Sequence, residues 1–274
     1  MGTHILLTGA AGIVGTALRP FLREQYDRVI LSDLLPIETL EGNESFEPCD
    51  IADLDQLTRI VQHANGIIHL AGMVGADYSF DHVLQPNIVG TYNVYRAAHS
   101  AGISNVVYAS SHHALGFMKR GTPIDDKTPH RPDSHYGLSK AFGESAGSYF
   151  CDNFGLSVLA IRIGFVGTEV TDERRLHTWI SPRDLAQLIH IGLTTQDLGY
   201  EVVYGTSNNP DPFFDNSNAT RLGYCPKDRA IDHISNDQIS TSVPDESTIA
   251  GGCVGGGFAA VGFKGTPERT LRSR

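Results

Sequence analysis

The stretch LLTGAAGIVG, residues 6–15, sets Gly9, Gly12 and Gly15 between an apolar run and the start of a helical pattern. A dinucleotide site has three backbone needs at such a place: a tight turn, close approach to a pyrophosphate, and close packing of helix on strand. Glycine meets all three. The phosphates would then rest on free N–H groups at the helix N-terminus, with Ile13 and Val14 in the same cradle. An ordinary glycine-rich turn would show the glycines too, so the context has to decide. The next apolar run, RVILSD, ends on Asp33. A carboxylate there accepts hydrogen bonds from the adenosine ribose and repels a 2′-phosphate. Leu34 and Leu35 follow, with no arginine to hold such a phosphate. The pattern therefore points to NAD rather than NADP.

Working outward, short apolar runs alternate with segments of helical period. The runs are HILLT, RVILSD, GIIHLAG, NVVYASS and LSVLAIRIG. The helical segments span 14–24, 54–64, 80–101 and 136–154. Strands alternating with helices make right-handed βαβ units and a parallel sheet. Uninterrupted apolar runs fit strands buried on both faces. The expected fold is α/β, a doubly wound, Rossmann-like parallel sheet with a small C-terminal substrate-binding lobe. Residues 1–164 form the cofactor-binding core, and 165–274 form the lobe and tail that complete the same domain. Within the second part, ISPRDLAQLIHIGL reads as a helix with Ser181 as N-cap, Pro182 at its first position and Asp184 facing the cap. YEVVYG reads as a strand and DNSNATRLGY as a short helix. SNDQISTSVPDEST reads as a surface loop, and GGCVGGGFAAVGF favours no single conformation.

Composition closes off several classes. The chain has 274 residues, 41% hydrophobic and 19% charged, with a formal net charge of −10. That suits a globular core. It opposes nucleic acid and anionic membrane surfaces, and no sizeable basic patch offsets it. No apolar run approaches the ~20 residues of a membrane helix. The chain enters a strand almost at once, so no leader is expected. Four scattered cysteines without a CxxC fit reduced thiols. The histidines lack ligand spacing, so no metal is expected. A cytoplasmic protein is the expectation.

Tyr136 and Lys140 stand four residues apart, on one face of a helix. Ser110 and Ser111 end the fourth run, where ligands of a doubly wound sheet bind. Together TGAAGIVG, HLAG, NIVGTYN, ASS and YGLSK, in order and spacing, resemble the extended short-chain dehydrogenase/reductases over residues 3–165. That resemblance implies roles. Tyr136 is the general acid/base and Lys140 lowers its pKa and holds the nicotinamide ribose. Ser111 hydrogen-bonds the reacting oxygen, whereas Ser110 is a satisfied strand-end hydroxyl. Asp50 and Ile51 lie at the adenine, and Leu70, Ala71 and Gly72 at the adenosine and phosphates. Asn87 and Ile163 also belong to the cofactor side.

A narrower resemblance extends to about residue 265. ASSHHALGF, RPDSHYGLSKAFGE, RLHTWISPRDLAQLI, VVYGTSNN, DNSNATRLGYCPKD and the late glycine-rich segment are similar to uronate dehydrogenases. These oxidise the anomeric carbon of galacturonate or glucuronate to the lactone with NAD. The resemblance implies substrate contacts from Ser111, His112, His113, Tyr136, the position of Phe165, and Arg174. Arg174 suits bidentate carboxylate binding. This chain departs from the pattern at three places: His112 stands for Asn, Phe165 for Ser, and Val74 or Gly75 for a Ser. His113 is the better ligand of the histidine pair, Phe165 has the alternative of packing under the lobe, and one of Arg174 and Arg175 is solvated. Two other readings remain: a dehydrogenase of another aldose or sugar phosphate, and a non-catalytic NAD-sensing protein. A homo-oligomer through the helices near 80–101 and 134–154 is expected from the same resemblance.

Overall fold

Alternate residues of the central strands point to opposite faces, and both faces are apolar. Ile5 and Leu7 enter one core, and Leu6 enters the other. Val107 and Ala109 likewise oppose Val106 and Tyr108. This is why the strands appear as unbroken apolar runs. The computed structural model describes residues 3–234 and 244–272. The loop expected at 235–248 lies largely outside them.

In chain order the first half comprises β1 His4–Thr8, α1 Ile13–Gln25, β2 Arg28–Ser32, β3 Glu44–Phe46, α2 Leu54–Val61 and β4 Gly66–His69. It continues with α3 Phe80–Val83, α4 Gly90–Ser100, β5 Asn105–Ser111, α5 His135–Phe154 and β6 Ser157–Ile163. The second half holds β7 Phe165–Val166, α6 Glu173–Thr178, β8 Trp179–Ile180, α7 Pro182–Thr194, β9 Tyr200–Gly205 and α8 Ser217–Arg221. The short helices α9 Ile249–Gly252, α10 Gly257–Ala260 and α11 Pro267–Thr270 follow. The main sheet is parallel, in the order β3-β2-β1-β4-β5-β6-β9. The chain runs one way from β1 to β3 and the other way from β4 onward. The crevice at the carboxyl ends of β1 and β4 is the switch point where such sheets bind ligands.

Three expectations are corrected. The helix expected over 80–101 is interrupted by a wide π-type turn at Leu84–Val89. Pro86 lies inside that turn and has no N–H to give the helical ladder. The helix expected to reach 64 ends at Val61, and its last turn tightens through His63 N–H to the Ile60 carbonyl. Asp184 does not face its cap with its carboxylate. Ser181 Oγ accepts from its backbone N–H, while its carboxylate turns inward to Ser207 Oγ and the N–H groups of Lys227 and Asp228. That buried acceptor set ties the loop after α8 to α7. From residue 165 onward the chain divides. The segment from α7 to β9 extends the main sheet, and β7, α6 and β8 form a small lobe around Trp179 and Val170.

Candidate active site

The glycine turn is shaped by what surrounds it. Gly9 has φ +74°, and a Cβ there would lie 2.6 Å from the Ala71 backbone nitrogen. At Gly15 a Cβ would sit 2.5 Å from the Gly9 carbonyl oxygen. Gly12 caps α1 without a side-chain hydrogen bond, and the first turn holds no acid. Its N–H groups are thus left for an anion. Ile13 is 84% exposed beside them, and Val14 packs on the core. Asp33 braces the turn, accepting from the N–H groups of Ala11 (3.0 Å) and Leu35 (3.1 Å). Asp50 accepts from Ala52 N–H, and Asn93 Nδ2 donates to the carbonyls of Ile51 and Ala52. Asn87 braces the opposite wall, where Leu70, Ala71 and Gly72 lead out of β4. Its amide exchanges two hydrogen bonds with the backbone of Met73 and donates a third to Ser139 Oγ. Asn87 therefore fixes the wall. Tight glycines, free helix N–H groups and the Asp33 carboxylate fit a dinucleotide.

Ser134 Oγ accepts from Gly137 N–H and starts α5 there, which brings Tyr136 and Lys140 beneath the end of β5. Both are buried. Lys140 Nζ donates to the Ala109 carbonyl (2.7 Å) and lies 5.6 Å from the centre of the Tyr136 ring. The Tyr136 pKa was expected to fall, and in this fold it rises, to about 12. Burial raises it, outweighing the Ser111 hydrogen bond that lowers it. Burial also pushes Lys140 down, to about 8. Ser110 keeps to its expected place, with its hydroxyl on Glu144 in a buried network with Arg162 and His130.

The two histidines separate in role. Burial and the nearby Arg174 cation push His113 to about 3, and burial lifts Asp133 to about 6. Near neutrality an uncharged His113 therefore donates Nδ1–H to an ionised Asp133 at 2.7 Å, and its Nε2 stays an acceptor. His112 does not keep a ring nitrogen for a substrate. Its Nδ1 donates to the Ile163 carbonyl (3.0 Å), and its Nε2 accepts from Arg174 Nη1 (2.9 Å). Phe165 packs in the small-lobe cluster, with the Arg175 guanidinium 3.9 Å from its ring centre. Arg175 also pairs with Asp172, so neither arginine is simply solvated. Val74 is 62% exposed and supplies no polar group.

The late glycine segment, whose sequence favours no single conformation, takes a defined place in the fold. It lies over His113 and Tyr136. Val254 and Gly255 N–H groups donate to the carbonyls of Met118 and Gly116, pairing the segment with the loop after β5. Phe258 stacks on His113 at 3.9 Å and lies 6.0 Å from the Tyr136 ring. Gly116, Gly137 and Gly255 crowd Asp133 so closely that a Cβ on any of them would meet it. The glycine excess was the available signal, because bare backbone marks close approach.

A profile of the NAD dependent epimerase/dehydratase family matches residues 5–187. The chain belongs to this family. Among its relatives, the uronate dehydrogenase of Pseudomonas putida is 41% identical over 226 residues, covering 82% of this chain and 84% of that protein. The uronate dehydrogenase of Agrobacterium fabrum is 36% identical over 255 residues, covering 93% and 96%. The crystal structure of a glucuronic acid dehydrogenase from Chromohalobacter salexigens matches with a TM-score of 0.87 at 37% identity, covering 98% of this chain and 99% of that one. The matched span contains the glycine turn, Asp33 and the Tyr136–Lys140 pair together.

Proposed function

We propose that the chain is an NAD-dependent uronate dehydrogenase, oxidising the anomeric carbon of galacturonate or glucuronate to the aldonolactone. The observation that supports this reading best is Arg174. Its guanidinium is half-buried, adjoins the His112–His113 pair that follows Ser111, and has no carboxylate within ion-pair distance among the described residues. In a chain of net charge −10, a sheltered cation left unpaired beside the reacting residues selects an anionic substrate group. Near Tyr136, that group is the sugar carboxylate.

The residues then divide the work. Ser111 holds the C1 oxygen and Tyr136 takes the C1 hydroxyl proton. Lys140 as an ammonium favours the phenolate, an effect needed because burial holds the phenol near 12. His113 Nε2, fixed by Asp133, accepts from a sugar hydroxyl. The glycine turn, Asp33, Asp50, Ile51 and the loop 70–72 hold NAD, which when bound accepts the hydride from C1. Residues 165–274 supply much of the sugar side.

The test is NADH formation with galacturonate, glucuronate, glucose 6-phosphate and galactose. Turnover only with the phosphate would replace the substrate, and tight NAD binding with no turnover on any sugar would make the chain a sensor. We also infer a cytoplasmic setting from the free thiols and the acidic surface. Tyr92, Leu138, Tyr149 and Phe154 on α4 and α5 are each more than 40% exposed and support assembly through these helices. Light scattering showing a monomer would remove that inference.

A further inference from the structure

The polarity of the contacts around His112 is fixed by chemistry. A carbonyl can only accept, so the Ile163 oxygen requires the proton on Nδ1. A guanidinium can only donate, so Arg174 requires the lone pair on Nε2. One neutral tautomer satisfies both, and burial keeps the ring neutral by pushing its pKa well below the ordinary value. The ring is held laterally by His113, 4.1 Å away between centres.

Arg174 shows what this achieves. Its Nη1 has two N–H bonds, and both are used, one by His112 and one by the Val254 carbonyl at 3.2 Å. The end-on pair Nη1/Nη2 is therefore closed to a ligand. The remaining fork is the side edge, Nε with Nη2. Gly256 adjoins this edge: a Cβ there would lie 2.5 Å from Arg174 Cδ and 2.7 Å from Nε. A side chain at 256 would crowd that edge, and glycine leaves it clear.

We propose that His112 is a positioning residue that anchors Arg174 by Nη1 and so presents the Nε/Nη2 edge to the substrate carboxylate, with the bare backbone of Gly256 keeping that edge open. The inference deepens the uronate reading and rests on it. It gives the histidine at 112 a role in specificity without any contact with sugar.

The experiment compares wild type, His112→Leu and His112→Gln on galacturonate and on galactose, which has the same ring stereochemistry without the carboxylate. Leucine removes the acceptor, and glutamine restores one. NAD affinity and melting temperature identify variants that fail to fold. Losing an acceptor for a charged donor corresponds to about a tenfold fall in the galacturonate-to-galactose ratio of kcat/KM for His112→Leu, appearing mainly in the galacturonate KM. His112→Gln recovers most of that ratio. Gly256→Ala lowers the same ratio through the other side of the guanidinium. If folded His112→Leu keeps the wild-type ratio, or loses both substrates equally, the positioning role is wrong while the uronate reading stands. If wild type itself does not prefer the carboxylate, the uronate reading fails and this inference with it.

Discussion

The cofactor side and the sugar side of this site are built by opposite strategies. On the cofactor side, the residues come from consecutive turns at the ends of β1, β2 and β4, and backbone geometry does most of the shaping. On the sugar side, His113 is held by Asp133, and Arg174 by His112 and Val254, with Phe258 stacked above. These residues come from separate parts of the chain and depend on side chains being braced by other side chains. The first strategy tolerates drift in sequence as long as its glycines stay. The second makes each position depend on its brace, as Arg174 does on His112 and Val254.

The largest effect belongs to the group that serves both sides. Tyr136→Phe is expected to lower kcat by about 10²–10⁴-fold, with NAD affinity measured by fluorescence titration little changed. Near-normal turnover in that variant would end the acid/base assignment. A paired comparison then separates the two strategies. Gly9→Ala forces an L side chain into left-handed backbone, at about 1–2 kcal/mol, and against the Ala71 backbone. It should weaken NAD binding by at least about tenfold. Gly255→Ala displaces Asp133 from its glycine cage and should raise the sugar KM several-fold, with NAD affinity held. If each variant disturbs both ligands equally, the two sides are not separable.

Much of the cofactor side is legible in the sequence, because its signals are local. Glycine at a fixed spacing, an acid at the end of the second strand and a Tyr–Lys pair one turn apart all belong to single elements. The sheet is legible for the same reason: β1 and β5 are apolar on both faces, so their runs are continuous. Legibility fails where structure depends on distant partners. β3 is a three-residue polar strand, ESF, formed by pairing with β2. Asp133 sits in the RPD stretch with no local sign that it holds His113. Sequence names the histidine at 112 and cannot say that both its nitrogens are already committed. For Tyr136, the lysine one turn away is visible in sequence, whereas the burial that raises its pKa is not.

The smallest effect is a cost of the second strategy. Asp133 is raised from 3.8 to about 6. A carboxyl with a raised folded pKa contributes stability below its unfolded value and loses it as pH rises through about 6. Ionised Asp133 at pH ~7.5 thus weakens the fold relative to a neutral group. Asp133→Asn should melt a few degrees higher at that pH, and the gap should close as pH falls below about 6. Its sugar KM should rise, since the amide holds the His113 ring less strongly than a carboxylate. An equal melting temperature at both pH values would place the burial cost elsewhere.

The roof over Tyr136 also sets an order of assembly. The tyrosine, its lysine and the nucleotide turn are all synthesised well before Val254, Gly255, Gly256 and Phe258. At about 5–20 residues per second, a domain folding from its N-terminal end has seconds in which this first portion can form on the ribosome. During that interval the growing chain carries Arg174 and His113 but lacks the Val254 carbonyl that braces the first and the Phe258 ring that covers the second. The cover of the site therefore arrives late, with the few residues from Val254 to Phe258. A polypeptide interrupted before them would leave Arg174 without its Val254 contact and His113 without its stacked ring.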